Sequence, residues 1–292
     1  VVLIALERFG RRCQQHYAPV GQSDGRGLYQ LTGVRALLAL TLCALPLVLG
    51  FVVPAVRLGF FALRGFGAYW TPDFIQLSLN SLLLSASAAL VTVALGLLLA
   101  YGKRLYPSRS LNASVGLAKL GYAMPGTVLA LGVMIPLAAF DNGIDAALRA
   151  SIGVSTGLIL SGTVFALIFA YSVRFLAVAT GALESSLAKV TPAMDRAARS
   201  LGHSHLQTLW RVHLPLIRPG LLTAALVVFV DCMKELPATL ILRPFNFDTL
   251  ATHVYQFASD EKLEASALGA LLIVLVGLGP VILLSRSVRG RP

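Results

Sequence analysis

Residues 76–101, QLSLNSLLLSASAALVTVALGLLLAY, run without a single charged side chain. An α-helix needs about 20 such residues to cross the hydrocarbon core of a bilayer. The stretch is continuously apolar, without the strict alternation of a ~10-residue barrel strand, and this predicts a membrane-spanning helix. On either side, comparable stretches at 36–56, 116–139, 153–178, 217–236 and 267–285 predict an all-α integral membrane protein with six transmembrane helices. Turn formers and charges collect between them, as in Tyr106-Pro107-Ser108-Arg109, Asp141-Asn142-Gly143 and Asp260-Glu261-Lys262. The 292 residues are 57% hydrophobic and 13% charged, against about 25% charged in soluble domains.

The net charge of +11 is spread along the chain and not clustered with aromatic residues, which argues against a nucleic-acid surface. Of the 24 Lys and Arg residues, 17 lie in segments 1–35, 102–113, 174–218 and 286–292, six in the alternate segments, and Lys119 near the cytoplasmic start of the third span. Positive residues gather on the cytoplasmic side, so both ends are predicted to be cytoplasmic. The acidic Asp73, Asp141, Asp145, Asp248, Asp260, Glu261 and Glu264 then lie outside. Cys13, Cys43 and Cys232 stand too far apart for a disulfide framework or zinc spacing. His203 and His205 do not fill a tetrahedral metal site, and no metal ligands are assigned.

Val1-Val2-Leu3-Ile4-Ala5-Leu6 precedes Glu7-Arg8, the reverse of the order in a signal peptide. The reading is that 1–34 holds the end of a preceding helix plus a cytoplasmic linker, 35–288 the six-helix domain and 289–292 a cytoplasmic tail. It implies a second half upstream in the same polypeptide; a processed N-terminus is the alternative.

The stretch between the fourth and fifth spans, about 184–216, is too long for an ordinary helix connection. Thr191 is placed to cap a helix with Pro192 at its first position. Met194, Ala197, Ala198 and Leu201 give it an apolar face, Asp195 and Arg199 an i,i+4 pair, and Gly202 a terminator with positive φ. A second short helix is predicted from a Ser204 cap, with Leu206, Leu209, Trp210 and His213 on one stripe and Pro215 as its stop.

Polar groups within spans are costly and mark function. Asp231, Lys234 and Glu235 are expected on one face of the fifth span, as an internal ion pair or as a pair at the interface before Pro237. Met124-Pro125-Gly126-Thr127 is expected to break the third span, for a pathway or for packing. No glycine-rich G-x4-G-K-[ST] phosphate loop is present, since Gly102-Lys103 is followed by Arg104.

Arg196-Ala197-Ala198, Gly202, Val212, Leu214 and Pro215 resemble, with complete spacing, the E-A-A-x3-G-x9-I-x-L-P loop of binding-protein-dependent ABC importer permeases. Arg196 stands where that family has glutamate, with Asp195 just before it. Tyr122-Ala123-Met124-Pro125-Gly126-Thr127, Tyr171-Ser172-Val173-Arg174-Phe175, Asp231 to Leu240 and Leu242 to Asn246 are similar to the ferric-iron permeases of the superfamily, over about residues 76–285. Thiamine and phosphonate importers share the architecture. The resemblance implies an ATPase-coupling loop with Asp195, Arg196, Ala197, Ala198, Gly202, Leu206, Leu209, Leu214 and Pro215, which forms the coupling helix seated on a cytoplasmic ABC ATPase dimer. ATP and Mg would be bound there and no cofactor by this chain, itself a transport subunit and not an enzyme. A periplasmic substrate-binding protein and a bacterial inner-membrane location are further implied, with Pro125, Gly126, Asp231, Lys234 and Glu235 along the translocation path. An ATP-independent secondary transporter is the rival from another class.

Overall fold

The computed structural model describes residues 31–106 and 108–289. The predicted helix remnant at Val1–Leu6, most of the linker and the last three residues lie outside them. Every regular element among the described residues is helical. The chain divides into two compact units, Val1–Phe51 and Val52–Pro292.

In the first unit, helix α1 (Gly33–Leu47) is apolar on all sides, with Leu37, Leu40 and Leu42 exposed, a surface suited to lipid. A π-helical turn at Val48–Val52 follows it.

The second unit holds α2 (Val53–Tyr69), α3 (Pro72–Leu105), α4 (Arg109–Ala123), α5 (Gly126–Ile152), α6 (Val164–Leu187), α7 (Pro192–Ser200), α8 (His205–Thr208), α9 (Leu214–Met233), α10 (Pro237–Leu242), α11 (Leu250–Ser259) and α12 (Leu263–Arg289). A π-helical turn at Leu209–His213 joins α8 to α9. Five helical stretches are long and apolar enough to span a membrane: Gly33–Tyr69, Pro72–Leu105, Gly126–Ile152, Val164–Leu187 and His205–Met233. Helix α12 carries a further apolar stretch, Leu263–Gly279.

Helices α3, α6 and α9 pack together at the centre, α4 and α5 lean on α6, and α2 and α11 pack on α12. The central contact is built from small residues. Ala88, Ala89, Ala166, Ala170, Ala179 and Ala224 are buried there, and a Cβ at Gly96 would lie 3.0 Å from that of Ala179. Lipid tails are as apolar as Leu, so close backbone approach and dispersion hold these helices together. Thr92 adds a hydroxyl contact across the interface, donating to Ser172 Oγ at 3.3 Å.

The structure corrects three span boundaries. Asp141-Asn142-Gly143, expected as a loop, lies inside α5, and residues 153–163, expected to open the fourth span, are irregular. The cause is Asp141, fully buried, whose carboxylate accepts the backbone N–H groups of Leu160 and Ser161 and the Ser161 hydroxyl. Asp145 likewise takes the N–H groups of Thr156 and Gly157. Positive φ at Gly153, Gly157 and Gly162 lets the backbone fold back over α5. The fourth span is therefore Val164–Leu187, which moves Arg174 from the cytoplasmic end of the expected span 153–178, where it counts with the cytoplasmic charges, to ten residues inside the helix. The first helical stretch runs to Tyr69, beyond the expected 56. The expected turn at Asp260-Glu261-Lys262 is present between α11 and α12.

Candidate functional site: two helix breaks and the loop beyond them

The third expected span is interrupted where the sequence placed the break. Proline disfavours helical conformation in the residue before it, and Met124 and Pro125 are both extended, with ψ of 138° and 139°. Helix α4 ends at Ala123 and α5 starts at Gly126. A second break separates α9, ending at Met233, from α10, with Pro237 in its first turn, where a missing N–H costs nothing.

Both breaks meet α6 at Arg174, ten residues and roughly 15 Å into that helix. The Arg174 guanidinium donates to the free carbonyl of Met124 at 3.3 Å and pairs with the Glu235 carboxylate at 3.3 Å. Glu235 also accepts the Ala238 N–H at 3.4 Å, so it sits at the N-terminus of α10, where a negative charge is favoured. The Thr239 hydroxyl donates to the Glu235 carbonyl, and the buried Tyr171 hydroxyl donates to Thr239 Oγ1 at 2.5 Å. Gly126 has no room for a side chain: a Cβ there would lie 2.7 Å from Arg174 Nη1 and 2.8 Å from Glu235 Oε1.

Pro125, Gly126 and Glu235 thus converge, whereas the expected single face of Asp231, Lys234 and Glu235 does not form. Helix α9 ends at Met233, so the chain turns between Lys234 and Glu235. Lys234 pairs with Asp231 at 2.9 Å and is 63% exposed, while Glu235 turns inward to Arg174. Arg174 was quoted as part of a motif and missed as a site residue. Its signal is a lone arginine flanked by Phe165 to Val173 and Phe175 to Val178.

In the loop 184–216 the first helix forms with Pro192 in its first turn, Thr191 stands at the N-cap position without the expected side-chain cap bond, and the helix ends in a Schellman motif. His203 N–H donates to Ala198 O and Gly202 N–H to Arg199 O, both at 3.0 Å, with Gly202 at φ +80°. Ser204 and Gln207 form a reciprocal capping box at the start of α8. Met194, Ala197 and Leu201 face outward and Ala198 inward. Arg196 is exposed.

Three local expectations are replaced. The Asp195 carboxylate does not pair with Arg199, whose Nε–H donates instead to the Asp195 backbone carbonyl at 3.3 Å; the carboxylate takes Arg104 at 2.7 Å and His213 Nε2–H at 2.6 Å. Burial acts to raise the Asp195 carboxyl, but the hydrogen bond and charge of Arg104, then those of His213, hold it below the usual carboxylate range. The stripe of Leu206, Leu209, Trp210 and His213 splits: Leu206 and Trp210 are 63% and 65% exposed, whereas Leu209 and His213 are buried. Nor does Pro215 stop the helix, which continues to Met233, with Leu214 partly buried against the core. Proline lacks an N–H and clashes with the carbonyl four residues before it, and the wider π-helical turn at Leu209–His213 accommodates it.

Residues 92–289 match the family described as binding-protein-dependent transport system inner membrane component. A Fe(3+)-transport system permease protein of Haemophilus influenzae, FbpB 2, is 30% identical over 73% of this chain and 39% of its own length. The chain thus spans about two-fifths of that relative. A putative 2-aminoethylphosphonate transport system permease protein of Salmonella typhimurium, PhnV, is 26% identical over 68% of this chain and 69% of its own. The fold is that of a bacterial alginate ABC transporter solved in complex with alginate pentasaccharide-bound periplasmic protein, with a TM-score of 0.67, 17% identity and coverage of 85% and 92% of the two chains. The chain belongs to the family of binding-protein-dependent transport system inner membrane components, as an ABC transporter permease that resembles the ferric importers.

Proposed function

We propose that this chain is the membrane-spanning permease half of an ATP-driven importer of ferric iron, driven through the loop 184–216 by a separate ATPase. The observation that carries the coupling is the two-sided loop: Asp195 ties it inward to Arg104 and His213, while Met194, Leu201, Leu206 and Trp210 present apolar surface outward. Solvent-exposed apolar patches of this kind mark protein contacts. The partners are a cytoplasmic ABC ATPase dimer holding ATP and Mg, a periplasmic binding protein, and a second permease half. The loop and both ends lie on the cytoplasmic side, in keeping with the distribution of Lys and Arg.

The cargo assignment is supported by the ferric relative and by the carboxylates at the second helix break. Ferric iron is a hard cation that prefers oxygen ligands. Pro125, Gly126, Asp231, Lys234 and Glu235, joined by Arg174, line the path. An ammonium facing lipid at mid-depth costs about 2.5–3.5 kcal/mol, so the exposed Lys234 favours a wet lumen shared with the second half. Uptake of labelled iron, thiamine and 2-aminoethylphosphonate is to be compared in cells lacking the native systems, with and without the accompanying ATPase. Iron accumulation only with the ATPase is the expected result. Accumulation of an organic solute without iron overturns the cargo, and uptake without the ATPase overturns the energy source in favour of a secondary transporter.

A further inference from the structure

Within the loop, helix α7 is joined to α6 and to α8 by two short linkers, residues 188–191 and 201–204. Linkers of four residues leave a nine-residue helix free to swivel unless side chains hold it. Here one guanidinium does so. Arg104, next to last in α3, donates Nη1–H to the Leu187 carbonyl at 2.7 Å and Nη2–H to the Val190 carbonyl at 2.8 Å and to Asp195 Oδ2 at 2.7 Å. Leu187 is the last residue of α6 and Asp195 lies in α7. The other Asp195 oxygen takes the Nε2–H of His213, immediately before α9. The His213 ring lies edge-on to Tyr101 of α3 at 5.5 Å, and the Tyr101 hydroxyl donates to the His205 carbonyl at 2.7 Å. The ends of α3, α6 and α9, which pack together at the centre, are therefore fastened to α7 at a single node.

We infer that Arg104 and His213 are positioning residues that make α7 move as one body with α3, α6 and α9, so that displacement of the loop becomes displacement of the spans. The inference rests on the loop being the ATPase-docking element. Coupling between distant sites is carried by rigid elements joined through hydrogen bonds and ion pairs. A planar fork reaches two carbonyls and a carboxylate at once, which the point charge of lysine does not.

The test uses the complete importer, reconstituted with its ATPase, second half and binding protein, and reads labelled ferric iron moved per ATP hydrolysed in each assembled complex. Linked sites typically influence one another by about 5–150-fold, and in Arg104→Gln the ratio is expected to fall about tenfold while hydrolysis continues. Arg104→Lys is expected to stay below the parent. A merely structural role would lower hydrolysis and transport in proportion, and an unchanged ratio overturns the inference. If Arg104→Gln does not assemble, His213→Gln, which leaves the three Arg104 bonds in place, decides in the same way: a fallen ratio supports the node and an unchanged one refutes it. If the parent chain holds no ATPase, the docking reading fails, and this inference with it.

Discussion

Replacing Gly126 by alanine tests whether the two helix breaks form one unit. Alanine is favoured over glycine within helices by about 0.5–1 kcal/mol, so propensity alone predicts a slight gain. The structure predicts the opposite sign. The new Cβ would lie 2.7 Å from Arg174 Nη1, 2.8 Å from Glu235 Oε1 and 3.1 Å from Pro237 Cβ. The two charged groups would give way first, because they end flexible side chains and the proline does not. Overpacking costs about 1–3 kcal/mol, and separating the Arg174–Glu235 pair leaves two buried charges partly uncompensated. A net loss of ~1–3 kcal/mol is expected, seen as a lower melting temperature in detergent and reduced uptake. Gly132→Ala is the control, since no atom lies within 4 Å of a Cβ there. Equal stability and uptake in the two variants would refute the idea that Gly126 is required by the charged pair.

Gly202→Val strains the positive-φ turn by roughly 1–2 kcal/mol, with no steric clash to add to it. Transport should fail while the protein still inserts, and normal uptake with normal ATPase retention would contradict the role of the turn. Asp141→Asn removes the charge and one of the two acceptor oxygens that hold the N–H groups of Leu160 and Ser161 and the Ser161 hydroxyl, and so weakens that set of bonds. Amide exchange across residues 153–163 should accelerate, and unchanged protection would show that the glycines alone set that fold. The Asp195 carboxyl is held below its ordinary value, so the anchor is fully present above an unfolded-state value of about 3.9 and is lost as pH falls through the lower folded-state value. Exchange protection of α7 should persist at pH 5 and vanish only well below pH 4; loss of protection at pH 5 would count against the ion pair.

The membrane class, the central spans, the break at Pro125, the helix 192–200 and the turn at Gly202 and Ser204 after it were legible because each rests on local signals: apolar length, proline, caps and glycine. What escaped depends on partners far along the chain. Arg199 is the local candidate for Asp195, but Arg104, 91 residues away, takes it. Arg174 falls at the cytoplasmic end of a span drawn as 153–178 because residues 153–163 are apolar enough to pass for its start, and only the folded chain shows Asp141 pulling them out of the helix. The split of Leu206 and Trp210 from Leu209 and His213 follows from a junction with the next span that a helix stopping at Pro215 would not have. The short helices α10 and α11 lie between the expected spans 217–236 and 267–285 and carry no apolar run of membrane-spanning length to announce them.

Cross-linking from the outward apolar face measures the central claim most directly. With cysteine at Leu206, 63% exposed in the loop, the account predicts shielding from an impermeant thiol reagent in intact cells and a cross-link to the ATPase subunit in membranes prepared from them. Labelling of that cysteine from outside the cell, or efficient ATP-dependent uptake without any cross-link to an ATPase, would contradict it.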